Sequence, residues 1–282
     1  MILNNDKHML HRLVITCLEK EKIMAYALND SLDVHVEMCI IKTIQSQQEI
    51  DYIFSSFTGA SDIVVVLMTA ESQAIMRKWL DQNEGVIKRR ALVVIPVFIG
   101  HSDLMFDFFS FLPVVSSTGK INDLGRKLSS VISGYLNINL MSLNLFDFEN
   151  LAKDVLVSYN FKEIIYSYSD HFDFGYDMMC SFNKEDVKGE IKENWLIEVK
   201  FTQKERFTIR NIESLIMKDR TRYLPDHKVM LITNGTLTSV IWDYVAELEK
   251  KQGLPILIVD GWKLCNLIAF KDNLIKEYFP HE

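Results

Sequence analysis

Between Trp195 and Phe201 the chain reads "WLIEVKF". On a strand, side chains repeat every two residues. Glu198 and Lys200 therefore share one face, while Ile197 and Val199 point to the other. About twenty residues upstream, "FDFGYDMM" carries Asp177. If the charged segment between them, "NKEDVKGEIKEN", is a long hairpin loop, Asp177 opens one strand and Glu198 and Lys200 lie on its neighbour. Two converging carboxylates are suitable oxygen ligands for Mg²⁺ or Mn²⁺, hard cations that keep several waters. Such a cation lowers the pKa of bound water and stabilises charge building on a phosphate. A lysine beside it can orient or deprotonate that water, or neutralise the pentavalent phosphate. Together these groups would suit phosphodiester hydrolysis. The competing explanation is plain: a solvated strand face with an ion pair of little energetic worth accounts for the same two residues.

The elements that must position these groups follow from the hydrophobic pattern. The chain has 282 residues, 48% hydrophobic and 24% charged, with 11 glycines and 5 prolines. That is globular composition, and the length suits two domains. The net charge of −7 gives no global attraction to nucleic acid, so any such binding must rest on a local basic patch. Cys17, Cys39, Cys180 and Cys265 lie far apart without a CxxC pair, which argues against a zinc site or disulfide framework. The opening "MILNNDKHMLHR" lacks a leader pattern, and the longest apolar runs are too short to span a bilayer. A soluble cytoplasmic protein without a membrane partner is expected.

Through the first 136 residues, apolar runs alternate with amphipathic stretches. Strands are predicted at 12–18, 34–41, 62–68, 91–99 and 113–117, and helices at 22–32, 46–60, 71–83 and 120–136. The β-branched run "DIVVVLM" suits a parallel strand buried on both faces, and the alternation implies a doubly wound parallel sheet. The joint lies in "NINLMSLNLFDFEN", where Asn144 can cap a helix whose first turn carries Asp147 and Glu149. Beyond it the expected order is α-β-β-β-α-β-α-β-α: a helix at 145–158, three strands from "FKEIIYSYSDHFDFGYDMMCSF" and, past the charged segment, "WLIEVKF", a helix at 208–218, a strand at 227–234, a helix at 238–250, a strand at 255–261 and a last helix near 262–269.

From about 145 to 270 the chain resembles the Mrr-type restriction endonuclease family, a branch of the PD-(D/E)xK nucleases. The carrying residues are Phe148-Glu149 and Phe161 in "FDFENLAKDVLVSYNF", Gly175 and Asp177 in "FDFGYDMM", the strand "LIEVKF", then "VMLITNG" and "ILIVDGWKLCNLI". The resemblance implies a restriction-endonuclease-like α/β domain with a mixed central sheet and Mg²⁺-dependent cleavage of DNA. By position, Asp177 and Glu198 would hold the metal, Lys200 would be the catalytic lysine, and Glu149 would be the assisting helix carboxylate. Two positions depart from the family pattern: Gly175 stands alone before Tyr176, and Asn160-Phe161 replaces Gly-Phe. Neither removes a catalytic group. From Lys200 to Lys228 there are eight Lys/Arg against four Asp/Glu. Lys204, Arg206, Arg210, Arg220 and Arg222 are candidate phosphate contacts. His171 and Tyr176 lie nearby and are read as structural.

Residues 10–136 resemble a Toll/interleukin-1 receptor (TIR) domain, on "SDIVVVLMTAESQAIMRKWLDQNE" and "ALVVIPVFIG". Enzymatic members of that family cleave NAD with a glutamate four residues after the tryptophan. Here the fourth residue after Trp79 is Asn83, and Glu84 comes one later. One residue turns a helix by about 100°, enough to swing the carboxylate away. Sensing or self-association is therefore the expected role, and a nucleotide-like activator at the carboxyl ends of the strands stays open. The division expected is 1–138, a TIR-like regulatory or oligomerisation domain, and 139–282, an Mrr-like endonuclease domain. Cutting both strands calls for a homodimer or higher oligomer, and the natural setting of such a fusion is bacterial defence against phage or foreign DNA. The rivals are a TIR-type NAD glycohydrolase with a degenerate nuclease half, and a nucleic-acid-binding protein without catalysis.

Overall fold

Parallel strands buried on both faces need apolar side chains at every position, and the run at 62–68 supplies them. In the computed structural model this run is the centre of a five-stranded sheet, and all seven of its residues are buried. The structure describes residues 10–45, 49, 52, 62–100, 110, 112, 114–117, 120–167, 176–186, 189–202, 208–210, 212–213, 227–252 and 256–280. The chain divides into two compact units, Met1–Ile138 and Asn139–Glu282.

The first unit contains β1 (Leu10–Leu18), α1 (Lys22–Asp30), β2 (Val36–Ile44), β3 (Asp62–Met68), α2 (Gln73–Arg90), β4 (Val93–Ile99), β5 (Val115–Ser117) and α3 (Ile121–Asn137). Its strands run in the order β2-β1-β3-β4-β5, every pair parallel. The predicted strands and most helices thus fall where the pattern puts them. The helix expected at 46–60 lies almost entirely outside the described residues. Helix α2 runs seven residues past its predicted end at 83, to Arg90. Lys88, Arg89 and Arg90 fill its last turn, where cations oppose the negative end of the helix dipole. Ala91 then ends it with φ of 51°, a left-handed stop normally left to glycine.

The second unit contains α4 (Leu145–Ser158), β6 (Lys162–Tyr166), β7 (Met178–Asp186), β8 (Gly189–Lys200), β9 (His227–Thr233), α5 (Ser239–Gln252), β10 (Ile256–Val259), α6 (Gly261–Ile268) and α7 (Asp272–Tyr278). Its sheet is mixed, in the order β10-β9-β8-β7-β6. β8, β9 and β10 are parallel, whereas β6, β7 and β8 are antiparallel neighbours. Asn144 caps α4 by accepting from the Asp147 N–H at 2.9 Å. Phe148, Leu151, Ala152, Val155 and Leu156 form its buried stripe, the i, i+3, i+4 spacing of an amphipathic helix.

Two expectations need correction. The charged segment "NKEDVKGEIKEN" is not a long loop but a ribbon, paired continuously from Met178↔Ile197 out to Asp186↔Gly189. Its outer part pairs only with itself, because β9 joins β8 no earlier than Asn194. No core therefore marks one face with apolar residues, and polar contacts such as Asn183 Nδ2 to Glu190 Oε1 (2.6 Å) tie the strands instead. Helix α7 extends the expected order. It has seven residues, of which Leu274 and Ile275 are buried, too few to show a helical period.

Gly261 opens α6 against the end of β9. A Cβ there would stand 2.3 Å from the Asn234 carbonyl oxygen, and the Gly261 N–H donates to Gly235 O at 2.9 Å. Gly261→Ala is expected to destabilise the protein in urea unfolding by about 1–3 kcal/mol, despite alanine's better helix propensity. Unchanged stability would mean that α6 can move away from β9.

Candidate active site

The strand bearing Glu198 and Lys200 is buried on both sides: Leu196, Ile197 and Val199 are core residues, and Glu198 itself is 2% exposed. That overturns a solvated strand face as the explanation of this stretch. A buried carboxylate is costly unless a counter-charge or hydrogen bonds compensate it. Lys200 supplies one, its Nζ standing 2.5 Å from Glu198 Oε1. The lysine is partly open to solvent, with 37% of its side chain exposed.

Asp177 sits immediately before β7, across from the middle of this stretch. Its N–H donates to Ile197 O at 2.9 Å, and its Oδ2 accepts the Val199 N–H at 2.6 Å. The carboxylate thus lies at the backbone of the residue between Glu198 and Lys200. Burial holds the Asp177 carboxyl above the usual carboxylate range. The Val199 N–H and Lys200 pull it down, while the negative charges of Glu198 and Glu149 push it up further. Three acids and one lysine therefore feel one another here.

Glu149 arrives by a different route. Phe148, fully buried on α4, packs on Phe201 with ring centroids 5.3 Å apart. Phe201 directly follows Lys200, so this contact sets α4 beside the exit of β8; such ring pairs contribute about 0.5–1.5 kcal/mol beyond their burial. Glu149 itself is half-buried. Among the described residues, no three His, Cys, Asp or Glu side chains gather as a ready-made metal cage. The oxygen donors that a cation could use here are Asp177 and Glu198.

The proposed phosphate contacts fare unevenly. Arg210 is exposed on a short helical stretch, whereas Lys204, Arg206, Arg220 and Arg222 lie outside the described residues, as do Gly175 and His171. Lys228, counted in the basic excess, is engaged internally: it pairs with Glu193 at 2.5 Å and lies 5.4 Å over the Trp195 ring. Tyr176 is 2% exposed and belongs to the core cluster with Leu196, Val229 and Leu231, a structural place.

Sequence reasoning missed the residues behind the site. Asn234, after β9, accepts from Thr202 N at 2.8 Å and donates to Thr202 O at 3.0 Å. Asp260 caps α6 through Lys263 N at 3.0 Å and also accepts from Leu237 N at 3.4 Å. The strings "ITNG" and "IVDG" carried the signal, since a polar residue plus glycine at a strand end marks a tight backbone approach.

In the first unit, Asn83 is buried and donates to Trp79 O at 3.0 Å, whereas Glu84 lies on the half-exposed flank of α2 in an ion pair with Lys88. A buried carboxylate appears elsewhere, at the carboxyl ends of β1 and β3, where the strand order reverses. Glu21, 1% exposed, accepts from Leu18 N at 3.1 Å and Thr69 Oγ1 at 2.5 Å. Among the described residues, an open cleft of about 240 Å³ beyond β4 and β5 is lined by apolar side chains such as Ile23, Ile99 and Leu124 and by Ser117. No helix among the described residues is long and apolar enough to cross a membrane.

No protein-family model matches the chain, and no curated protein matches it. Among solved structures, the MspJI restriction endonuclease in complex with a 27-mer oligonucleotide is similar over 60% of this chain and 40% of that one, at 14% identity and a TM-score of 0.37. The DNA modification-dependent restriction endonuclease AspBHI is similar over 53% of this chain and 38% of that one, at 10% identity and a TM-score of 0.36. The chain thus matches less than half the length of either structure.

The raised Asp177 carboxyl has a consequence for stability. The folded state holds that proton more tightly than the unfolded chain, so the advantage is full below the ordinary carboxylate pKa of about 3.9 and is lost as pH rises through the raised folded value. Ionising Asp177 therefore costs the folded state stability relative to its neutral form. Asp177→Asn keeps an acceptor for Val199 N–H and removes the charge. Urea unfolding should find it at least as stable as the native protein at pH 7, with less loss of stability between pH 4 and 7. A less stable variant at pH 7 would contradict the assignment.

Proposed function

We propose that the second unit is a metal-dependent DNA endonuclease of the PD-(D/E)xK type, similar to the Mrr family. The observation that carries the reading is the buried Glu198 paired to Lys200, with Asp177 bonded to the backbone between them. A stability-driven fold seldom buries a carboxylate with a second acid so near, because each makes the other harder to ionise. The donors suit a hard divalent cation. Asp177 and Glu198 offer oxygen, and Mg²⁺ completes its shell with water and phosphate oxygens rather than an all-protein cage. When bound, the ion would supply Lewis-acid stabilisation of charge developing on the phosphate.

The chain's own residues do the remaining work. Asp177 and Glu198 present their carboxylates from adjacent strands. Lys200 now neutralises Glu198. Its partly exposed ammonium is the group that can turn to an attacking water or to a phosphate oxygen. Glu149 adds negative charge from α4 and can accept a hydrogen bond from a water at the site. Arg210 and the other basic residues between 200 and 228 are proposed to meet the phosphate backbone.

The first unit is proposed as a TIR-like regulatory or self-association domain, with assembly into a homodimer or larger oligomer bringing two cutting sites to one duplex. With Asn83 at the fourth position after Trp79, an NAD-cleaving first unit is not favoured. The setting that suits the fusion is bacterial defence against phage or foreign DNA.

Plasmid DNA incubated with Mg²⁺ tests the nuclease. Nicking or linearisation should be lost on adding EDTA and should fall at least ~100-fold in Glu198→Ala and Lys200→Ala. Equal cleavage by all three proteins would sink the reading. Because Lys200 and a cation compete for the same Glu198 oxygen, Lys200→Gln should bind Mn²⁺ more tightly by titration calorimetry even though it cuts poorly. Weaker Mn²⁺ binding by that variant would show that Lys200 does not occupy the cation's place.

A further inference from the structure

The strand that carries Glu198 and Lys200 does not end freely. Its last parallel pair with β9 is Lys200↔Thr233. Beyond that pair, the ladder is continued by a side chain. Asn234 Oδ1 accepts from Thr202 N at 2.8 Å and from Thr202 Oγ1 at 3.2 Å, while its Nδ2 donates to Thr202 O at 3.0 Å. One amide thus satisfies both backbone groups of Thr202, as a further strand rung would. A second Nδ2 contact reaches Met141 Sδ at 3.3 Å, on the segment leading into α4.

The amide can act as a fixed clamp because its own backbone is braced. Asn234 is 7% exposed. Gly261 lies so close to the Asn234 carbonyl that no Cβ fits between them, and the Gly261 N–H holds Gly235 O at 2.9 Å. Asp260 holds Leu237 N and the first turn of α6. On the other side of the clamp, Thr202 is two residues from Lys200 and one from Phe201. Phe201 in turn packs on Phe148, the neighbour of Glu149.

We infer that Asn234 is the positioning residue of the proposed active site: by holding Thr202 it fixes where Lys200 stands, and through Phe201 and Phe148 it fixes the helix that bears Glu149. The inference rests on the nuclease reading for its catalytic consequence, though not for its geometry. Asn234 touches neither substrate nor metal in this scheme. Its effect passes through a backbone that both Lys200 and Phe201 share.

The test compares the native 282-residue chain with Asn234→Ala and with Val245→Ala, a core truncation on α5 that serves as a control for lost stability. With Mg²⁺ and duplex DNA, Asn234→Ala should lower kcat at least tenfold while KM stays within threefold. Val245→Ala should keep kcat within threefold at a comparable drop in Tm. In the absence of DNA, amide exchange at Thr202 should quicken in Asn234→Ala, and acylation of Lys200 by an amine-reactive reagent, read by mass spectrometry, should change rate at least threefold. A kcat loss no greater than in Val245→Ala, or an unchanged Lys200 acylation rate, overturns the inference and leaves Asn234 a structural clamp. If the native chain shows no cleavage that Glu198→Ala abolishes, the nuclease reading fails. The exchange and acylation rates then still decide whether Asn234 positions Lys200.

Discussion

Asp177 is bonded to β8 at two points, its N–H to Ile197 O and its carboxylate to Val199 N–H, and the arrangement of the second unit depends on this. Those two bonds pin β7 and β8 in one register. A slip by one residue would turn Glu198 and Lys200 to the opposite face and place Ile197 and Val199 where the charges now lie. The same bonds bring a half-buried acid beside a fully buried one. The pair is tolerable because Lys200 neutralises Glu198 and a backbone N–H stabilises Asp177. Charge concentrated in this way adds little to folding, and it is the pair proposed to hold a cation.

Around that pair the supports are backbone contacts more than side-chain packing. Asn234 holds Thr202, Gly261 lets α6 approach β9, and Asp260 ties the two together. Each support takes up polar groups left over where a strand ends, among them Thr202 N–H and C=O, Gly235 C=O and Leu237 N–H. The later turns of α4 are secured by residues in and around α6 and α7. Tyr159 donates to Leu267 O at 2.9 Å, Lys271 reaches Ser158 O at 2.9 Å, and Tyr278 donates to Asp154. Burial lowers the Lys271 pKa, while the Tyr159 ring and the Ser158 carbonyl favour its charged form.

In the first unit two buried polar residues, Glu21 and Ser72, follow the carboxyl ends of β1 and β3, where the strand order reverses. Glu21 spends both carboxylate oxygens on Leu18 N and Thr69 Oγ1, which stitches the ends of β1 and β3. Trp79 and Asn83 are turned into the core while Glu84 faces its lysine. A one-residue displacement along a helix is enough to separate a buried position from a flank.

Much of this was legible in the residues alone. Period-two and period-3.6 patterns located the strands and the long helices, because a buried face imposes its period on the chain. Asn144 announced the start of α4, and "WLIEVKF" announced two charges on one face of a strand. The outer ribbon of β7 and β8 was not legible, since strands with no core on either side carry no apolar alternation, nor was α7, which is too short to show its period. Tertiary structure alone decided that Glu198 is buried and that Asp177 bonds between it and Lys200. It alone showed that Asn234 grips Thr202, 32 positions away in the chain. Local sequence sets which face a side chain takes, but burial and partnership depend on strands that are distant along the chain and adjacent only once the sheet has formed.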